Sequence, residues 1–204
     1  MIKSFTFNPL GTNCYVIAGE DRAAAVVDPG CYDDAEADIL VKAIESSGLR
    51  PERILLTHGH PDHCFGVARL VRKYGISVML SPEDSYIMTR GSELASFVGL
   101  HEVDLGYTTV PVADNEVINI GKHLSFKAIA TPGHTPGGIC WYSAGEKLAF
   151  CGDSLFAGTI GRTGLPGGDY DSLMKSLLER VMTLPEETLL LPGHGGGNHG
   201  KNHV

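Results

Sequence analysis

The sequence predicts an α/β fold in which β-sheets are sandwiched between layers of helix. Three observations carry that expectation. Short apolar runs of strand length alternate with amphipathic stretches of helix length. The alternation occurs twice, in two similar halves of the chain. The 204 residues, 43% hydrophobic and 20% charged, suit one compact domain with a sizeable core.

The elements follow in order. Residues 13–17 alternate, and Ala23–Val27 are continuously apolar, so both are expected strands, joined by a turn at Gly19-Glu20-Asp21. Asp28-Pro29-Gly30 stops the second. A helix is expected over 33–47, with acids in its first turn and Gly48 just past its end. Residues 53–56 are a short buried-type strand, and 57–61 form the loop leaving it. Asp62 opens a helix running to about Tyr74, with Phe65, Val67, Leu70 and Val71 on its apolar face. Residues 77–80 are the next strand. Residues 81–107 predict a helix after Ser81-Pro82, then a loop-rich insert placed to cover a site.

The second half repeats this logic. Strands are expected at 116–120, 124–130, 139–143 and 147–151, followed by a glycine-rich loop at 158–168. A helix over 169–182 precedes a last strand at 188–191. Three glycines follow His194, and residues 195–204 predict a flexible tail.

Composition removes several function classes. The formal net charge is -8, so the surface repels phosphate backbones and anionic lipid, and no nucleic-acid or membrane partner is expected. No apolar run approaches the roughly 18–20 residues that span a bilayer, and the start lacks the h-region of a signal peptide. The five cysteines form no C-x-x-C pair, and an odd count in a chain with no export signal points to reduced thiols and a cytoplasmic setting.

The segment Thr57-His58-Gly59-His60-Pro61-Asp62-His63 carries the chemistry. Such a loop can aim His58 and His60 at one point, while Asp62 and His63 point to a neighbouring one on the first helical turn. Imidazole and carboxylate at this spacing suit zinc, and also iron or manganese. Three later segments each place a candidate ligand just after an expected strand: His134 in T-P-G-H-T-P-G-G, Asp153 in C-G-D-S-L-F, and His194 in L-P-G-H-G. Seven ligands are enough for two ions bridged by one carboxylate.

In that order along the chain, these residues resemble the metallo-β-lactamase superfamily over nearly the whole sequence. Asp28-Pro29-Gly30, the segments at 131–138 and 151–156, and G-R-T-G-L-P-G-G-D at 161–169 most resemble small bacterial glyoxalase II-like hydrolases. The resemblance implies an αββα four-layer sandwich with the site where strand ends meet. It implies His58, His60 and His134 on one metal, and Asp62, His63 and His194 on the other, with Asp153 and a hydroxide bridging the two. Residues 1–204 are then expected to be a single domain, without the C-terminal helical region that binds glutathione in larger glyoxalase II enzymes. Superfamily β-lactamases resemble the chain less, because they lack a bridging Asp in the place of Asp153.

The implied reaction is hydrolysis of a small-molecule thioester of hydroxyacylglutathione type by the bridging hydroxide, with two divalent ions, zinc first, and with Asp62 and Asp153 as the catalytic carboxylates. Ser154 has no triad-like context, so no covalent acyl-enzyme is expected. Arg162 is a candidate partner for a substrate carboxylate. Tyr142 and Tyr107 are candidate lining residues, with core packing the competing use. Asp28 can orient a histidine or cap the turn at Pro29-Gly30, and the cap is the preferred expectation. The remaining histidines (His101, His123, His199 and His203) read as surface residues. Two alternatives stay open: a lactone or other ester hydrolase on the same scaffold, and a mononuclear iron persulfide dioxygenase using His58, His134 and Asp153.

Overall fold

The computed structural model describes residues 1–195. The expected flexible tail beyond Gly195, with His199 and His203, lies outside the described residues. Strands β1 (Ile2–Phe7), β2 (Thr12–Ala18), β3 (Ala23–Val27), β4 (Arg50–Leu55), β5 (Ser77–Leu80) and β6 (Thr109–Pro111) form one sheet in sequence order. The first three pair antiparallel and the last three add in parallel. Strands β7 (Val117–Ile120), β8 (Leu124–Ala130), β9 (Ile139–Ser143), β10 (Leu148–Gly152) and, later in the chain, β13 (Leu189–Pro192) form a second sheet in the order β13-β10-β9-β8-β7. A small hairpin, β11 (Leu155–Phe156) with β12 (Thr159–Ile160), stands beside it.

Period-two alternation assigns each strand face to a layer. Tyr15 and Ile17 of β2, Phe126 of β8, Trp141 of β9 and Phe150 of β10 meet in a core between the sheets. Their neighbours Cys14 and Val16 point the other way, into a core under helices α1 (Asp34–Ser46) and α3 (Val67–Tyr74). Cys140, Ala149 and Cys151 face a third core under α6 (Tyr170–Ser176) and the π-helical turn Leu177–Val181. The result is the αββα sandwich.

The helices obey ordinary end rules. Asp33 caps α1 by accepting from the Glu36 amide at 2.9 Å, and Ala37, Leu40, Val41 and Ile44 form its buried stripe. Asp169 caps α6 in the same way through Ser172. The helix expected from Asp62 to Tyr74 is instead two. Helix α2 (Pro61–Cys64) stops at Phe65-Gly66, and α3 begins afresh. Gly66 donates to the Pro29 carbonyl at 2.8 Å and leaves no room for a Cβ against it, so packing on the Pro29–Cys31 turn breaks the helix there. In the 81–107 insert, a 3-10 turn at Pro82–Asp84 leads into α4 (Ser85–Thr89) and α5 (Gly91–Phe97), and α5 packs against α2. No helix among the described residues is long and apolar enough to cross a membrane.

The sheets are laced together at one edge. Trp141 Nε1 donates to the Leu56 carbonyl at 3.0 Å, the Ile139 amide to the Thr57 carbonyl at 2.8 Å, and Tyr15 Oη to the Pro192 carbonyl at 2.8 Å. The loops leaving the carboxyl ends of β3, β4, β8, β10 and β13 all meet there.

Candidate metal centre

All seven residues expected as ligands converge at this edge. His58 and His60 come from the loop after β4, and Asp62 and His63 from the first turn of α2. His134 follows β8, Asp153 follows β10, and His194 follows β13. His58, His60, Asp62, His63 and His134 are buried, and Asp153 and His194 are partly exposed.

Two clusters share one carboxylate. In the first, His60 Nδ1 lies 3.0 Å from both His58 Nε2 and His134 Nε2. In the second, His194 Nε2 lies 3.2 Å and His63 Nε2 3.5 Å from Asp62 Oδ2. Asp153 stands between them: its Oδ2 is 3.6 Å from His134 Nε2 and 3.4 Å from His194 Nε2, and its Oδ1 is 3.4 Å from His63 Nε2.

The partners of the outward ring nitrogens set which nitrogens face inward. His134 Nδ1 donates to the Arg162 carbonyl at 2.7 Å, and His194 Nδ1 to the Leu10 carbonyl at 3.1 Å. His63 Nδ1 donates to Asp28 Oδ2 at 3.0 Å. Thr57 Oγ1 donates to that same oxygen at 2.6 Å, and so accepts from His58 Nδ1 at 3.0 Å. Asp28 thus orients two of the candidate ligands, and its Oδ1 also accepts from the Thr57 amide at 2.8 Å. The preferred expectation for Asp28 was a cap on the Pro29-Gly30 turn. Its carboxylate points the other way, into the site, and the backbone holds a φ of 45° to aim it.

Electrostatics separates the clusters. Burial, reinforced by neighbouring imidazoles, holds His58 well below the usual histidine range and His60 down to about 3; burial also lowers His134, against the pull of Asp153. Three neutral imidazoles therefore aim lone pairs at one point. In the second cluster burial opposes every charge, yet the charges win. His63 and His194 bring Asp62 down to about 2 and Asp153 well below its usual value. The carboxylates in turn raise His63 well above its range and His194 to about 9.

This donor set fits divalent cations. Tetrahedral Zn–N bonds of about 2.0–2.1 Å would put neighbouring nitrogens roughly 3.3 Å apart, close to the 3.0 Å spacing in the first cluster. His60 Nε2, His63 Nε2 and Asp153 Oδ1 are buried with no hydrogen-bond partner, and the last two face each other across the second cluster. Nitrogen and carboxylate donors without thiolate favour zinc, iron or manganese. Gly193 closes the site, since a Cβ there would collide with Asp153 Oδ1 and His63. The His194 loop is fixed by Asn13, whose amide donates to the Gly193 carbonyl at 2.7 Å and whose side chain reaches the Gly195 carbonyl at 2.8 Å.

Other expected residues fall away from the chemistry. Tyr142 packs in the core under α6 and does not line the site, because its position on β9 faces the outer layer. Tyr107 packs in the core under α1 and α3, with its hydroxyl on Met88 Sδ. Buried Ser154 donates to Thr131 Oγ1 at 3.2 Å. His101 stacks on Tyr32 with ring centroids 3.9 Å apart. Arg162 does reach the pocket above the metal cluster.

One residue that sequence reasoning missed is Asp84. It is fully buried and its carboxylate accepts from the Gly59 amide, Thr135 Oγ1 and the Gly137 amide, at 2.8, 2.8 and 2.6 Å. It therefore clamps the His58–His60 loop to the His134 loop. In sequence it reads only as a first-turn acid after Ser81-Pro82.

A model of the Metallo-beta-lactamase superfamily matches residues 7–194. The hydroxyacylglutathione hydrolase GloC of Haemophilus influenzae is 34% identical over 188 residues, spanning 90% of this chain and 85% of its own. The crystal structure of TTHA1623 in a di-iron-bound form aligns with a TM-score of 0.86 at 34% identity, covering 97% of this chain and 94% of that one. The BLEG-1 B3 metallo-beta-lactamase aligns with a TM-score of 0.87 at 31% identity, covering 98% and 94%. Backbone likeness therefore does not separate a lactamase from its relatives, and the distinction rests with the pocket.

Proposed function

Because the chain belongs to the metallo-beta-lactamase superfamily of metal-dependent hydrolases, we propose that it is a binuclear thioesterase acting on substrates of hydroxyacylglutathione type. The observation that carries this is Asp153, set between a complete three-histidine cluster and a complete Asp62–His63–His194 cluster. His58, His60 and His134 would hold one divalent cation, and Asp62, His63 and His194 the other, with Asp153 shared. Bound there, the pair supplies a hydroxide nucleophile at neutral pH and Lewis-acid stabilisation of the tetrahedral oxyanion.

The chain's own residues do the rest. Asp28, Thr57, the Arg162 carbonyl and the Leu10 carbonyl hold four imidazoles in one tautomer and orientation. Thr12 Oγ1 donates to Asp62 Oδ2 at 2.8 Å and keeps that carboxylate turned inward. Among the described residues, the pocket above the cluster is lined by no Lys, Tyr or Cys. A leaving group must depart without help from an acid, which favours a thiolate over an alkoxide or amine. The GloC likeness supports the same substrate class. Five buried free thiols suit a reducing, cytoplasmic setting.

The test is metal content measured on the same sample as S-D-lactoylglutathione hydrolysis. Two metals per chain and hydrolysis without oxygen consumption are expected. One iron with oxygen uptake would replace this reading with the mononuclear dioxygenase, for which the Asp62–His63–His194 cluster has no use.

A further inference from the structure

The metal cluster floors a cavity of about 560 Å³, large enough for a ligand well beyond a three-carbon acyl group. Its polar groups lie almost entirely on that floor. The walls are Leu10 from the β1–β2 turn, Leu94, Phe97 and Val98 from α5 and its end, Phe156 from β11 and Leu165 from the glycine-rich loop. These come from segments far apart in sequence, yet all face one space. Phe97 is 84% exposed, Val98 46% and Leu10 45%. Single exposed apolar residues are ordinary, but a convergent set beside a polar cluster is not.

Among the described residues, the only side-chain charge in the lining outside the candidate ligand set belongs to Arg162. Its carbonyl is fixed by His134, while its exposed guanidinium makes no ion pair among the described residues. The cavity thus presents an apolar wall and an exposed cation with no ion pair among the described residues, both beside the reacting centre.

We propose that this cavity selects thioesters whose acyl group carries a large apolar substituent, an aryl or alkyl group of roughly four to eight carbons, with a carboxylate of the thiol arm held at Arg162. This rests on the thioesterase reading above. The acyl arm has to take the wall, because a glutathione-like arm carries charges that the wall cannot pair. In the reaction water adds to the carbonyl carbon and the C–S bond breaks. The products are a carboxylate and a thiol, with one proton released to solvent.

The test uses the metal-loaded protein and glutathione thioesters with acetyl, lactoyl, butyryl, hexanoyl, octanoyl and mandeloyl groups. Expected is a rise in kcat/KM of about three- to fourfold per methylene up to hexanoyl or octanoyl, with mandeloyl at least about tenfold above lactoyl. Phe97→Ser, at an exposed position, should cut octanoyl turnover about tenfold with the circular dichroism spectrum retained. Arg162→Gln should raise KM for glutathione thioesters but not for those of uncharged N-acetylcysteamine. A flat or falling dependence on acyl length, with lactoyl best, would overturn the proposal and leave the thioesterase reading standing. If no thioester is turned over, that reading fails, and the pocket is judged by calorimetry with butanoate through decanoate. Affinity rising with chain length then supports it, and equal affinity overturns it.

Discussion

The Asp84 carboxylate accepts a hydrogen bond from the Gly59 amide at 2.8 Å, in the gap between the ligands His58 and His60. Its other bonds, from Thr135 and Gly137, hold the turn that immediately follows His134. One buried acid therefore sets the spacing of all three imidazoles in the first cluster.

Asp84→Ala leaves two amides and a hydroxyl unpaired in a dry interior, at about 1–3 kcal/mol each. Thermal unfolding should show a drop of several kcal/mol, and metal titration a first cluster weakened by at least tenfold. Wild-type metal affinity in a folded Asp84→Ala variant would refute the clamp.

Asp28→Asn is a cleaner probe of ligand orientation, because Asn tolerates the left-handed φ of 45° that Asp28 adopts. The change removes the charge facing His63 and Thr57 without disturbing the turn. Metal affinity or turnover should fall roughly 10–100-fold. Unchanged kinetics would mean that Asp28 serves the turn alone.

His60→Ala opens the first cluster, and His60 belongs to none of the three apolar cores. The variant should keep its circular dichroism spectrum and melting cooperativity, bind about one metal fewer per chain, and lose activity. Retained activity would sink the ligand assignment.

The pH profile of the chelated protein should be lopsided. Asp62, depressed to about 2, contributes stability that is present above its unfolded value of 3.8 and lost as pH falls through 2. His194, raised to about 9, contributes stability that is present below 6.5 and lost as pH rises through 9. Melting temperature without metal should therefore decline between pH 6.5 and 9. With metal the decline should vanish, since the cation takes the place of the His194 proton. Parallel profiles with and without metal would contradict this.

Strands with a clear apolar pattern were legible: Ala23–Val27 and Ile139–Ser143 by a nearly continuous buried run, and Leu124–Ala130 by alternation. The edge strand Ile2–Phe7 was not, because most of its residues face solvent and only Phe7 is buried. Nor was the Leu155–Phe156 hairpin, whose strands are too short to show a period. The seven candidate ligands that converge were readable because a loop after a strand needs no tertiary knowledge to mark it. The residues that hold those ligands were harder. Asp84 and Asp28 act on groups tens of residues away, and their local context offers each a sufficient reason to exist as a helix-start or turn acid. The break at Gly66 likewise depends on a carbonyl from another turn.

The bond from Tyr15 Oη to the Pro192 carbonyl joins residues 177 positions apart. It clamps the four-residue strand Leu189–Pro192, which lies at a sheet edge beside Leu148–Gly152 alone. Short edge strands open at low free energy compared with the core. His58, His60 and His134, by contrast, leave central strands locked by Trp141 and Asp84. A cation held at His194 should consequently exchange with solution faster than one held by His58, His60 and His134, because brief peeling of the edge strand loosens only the former.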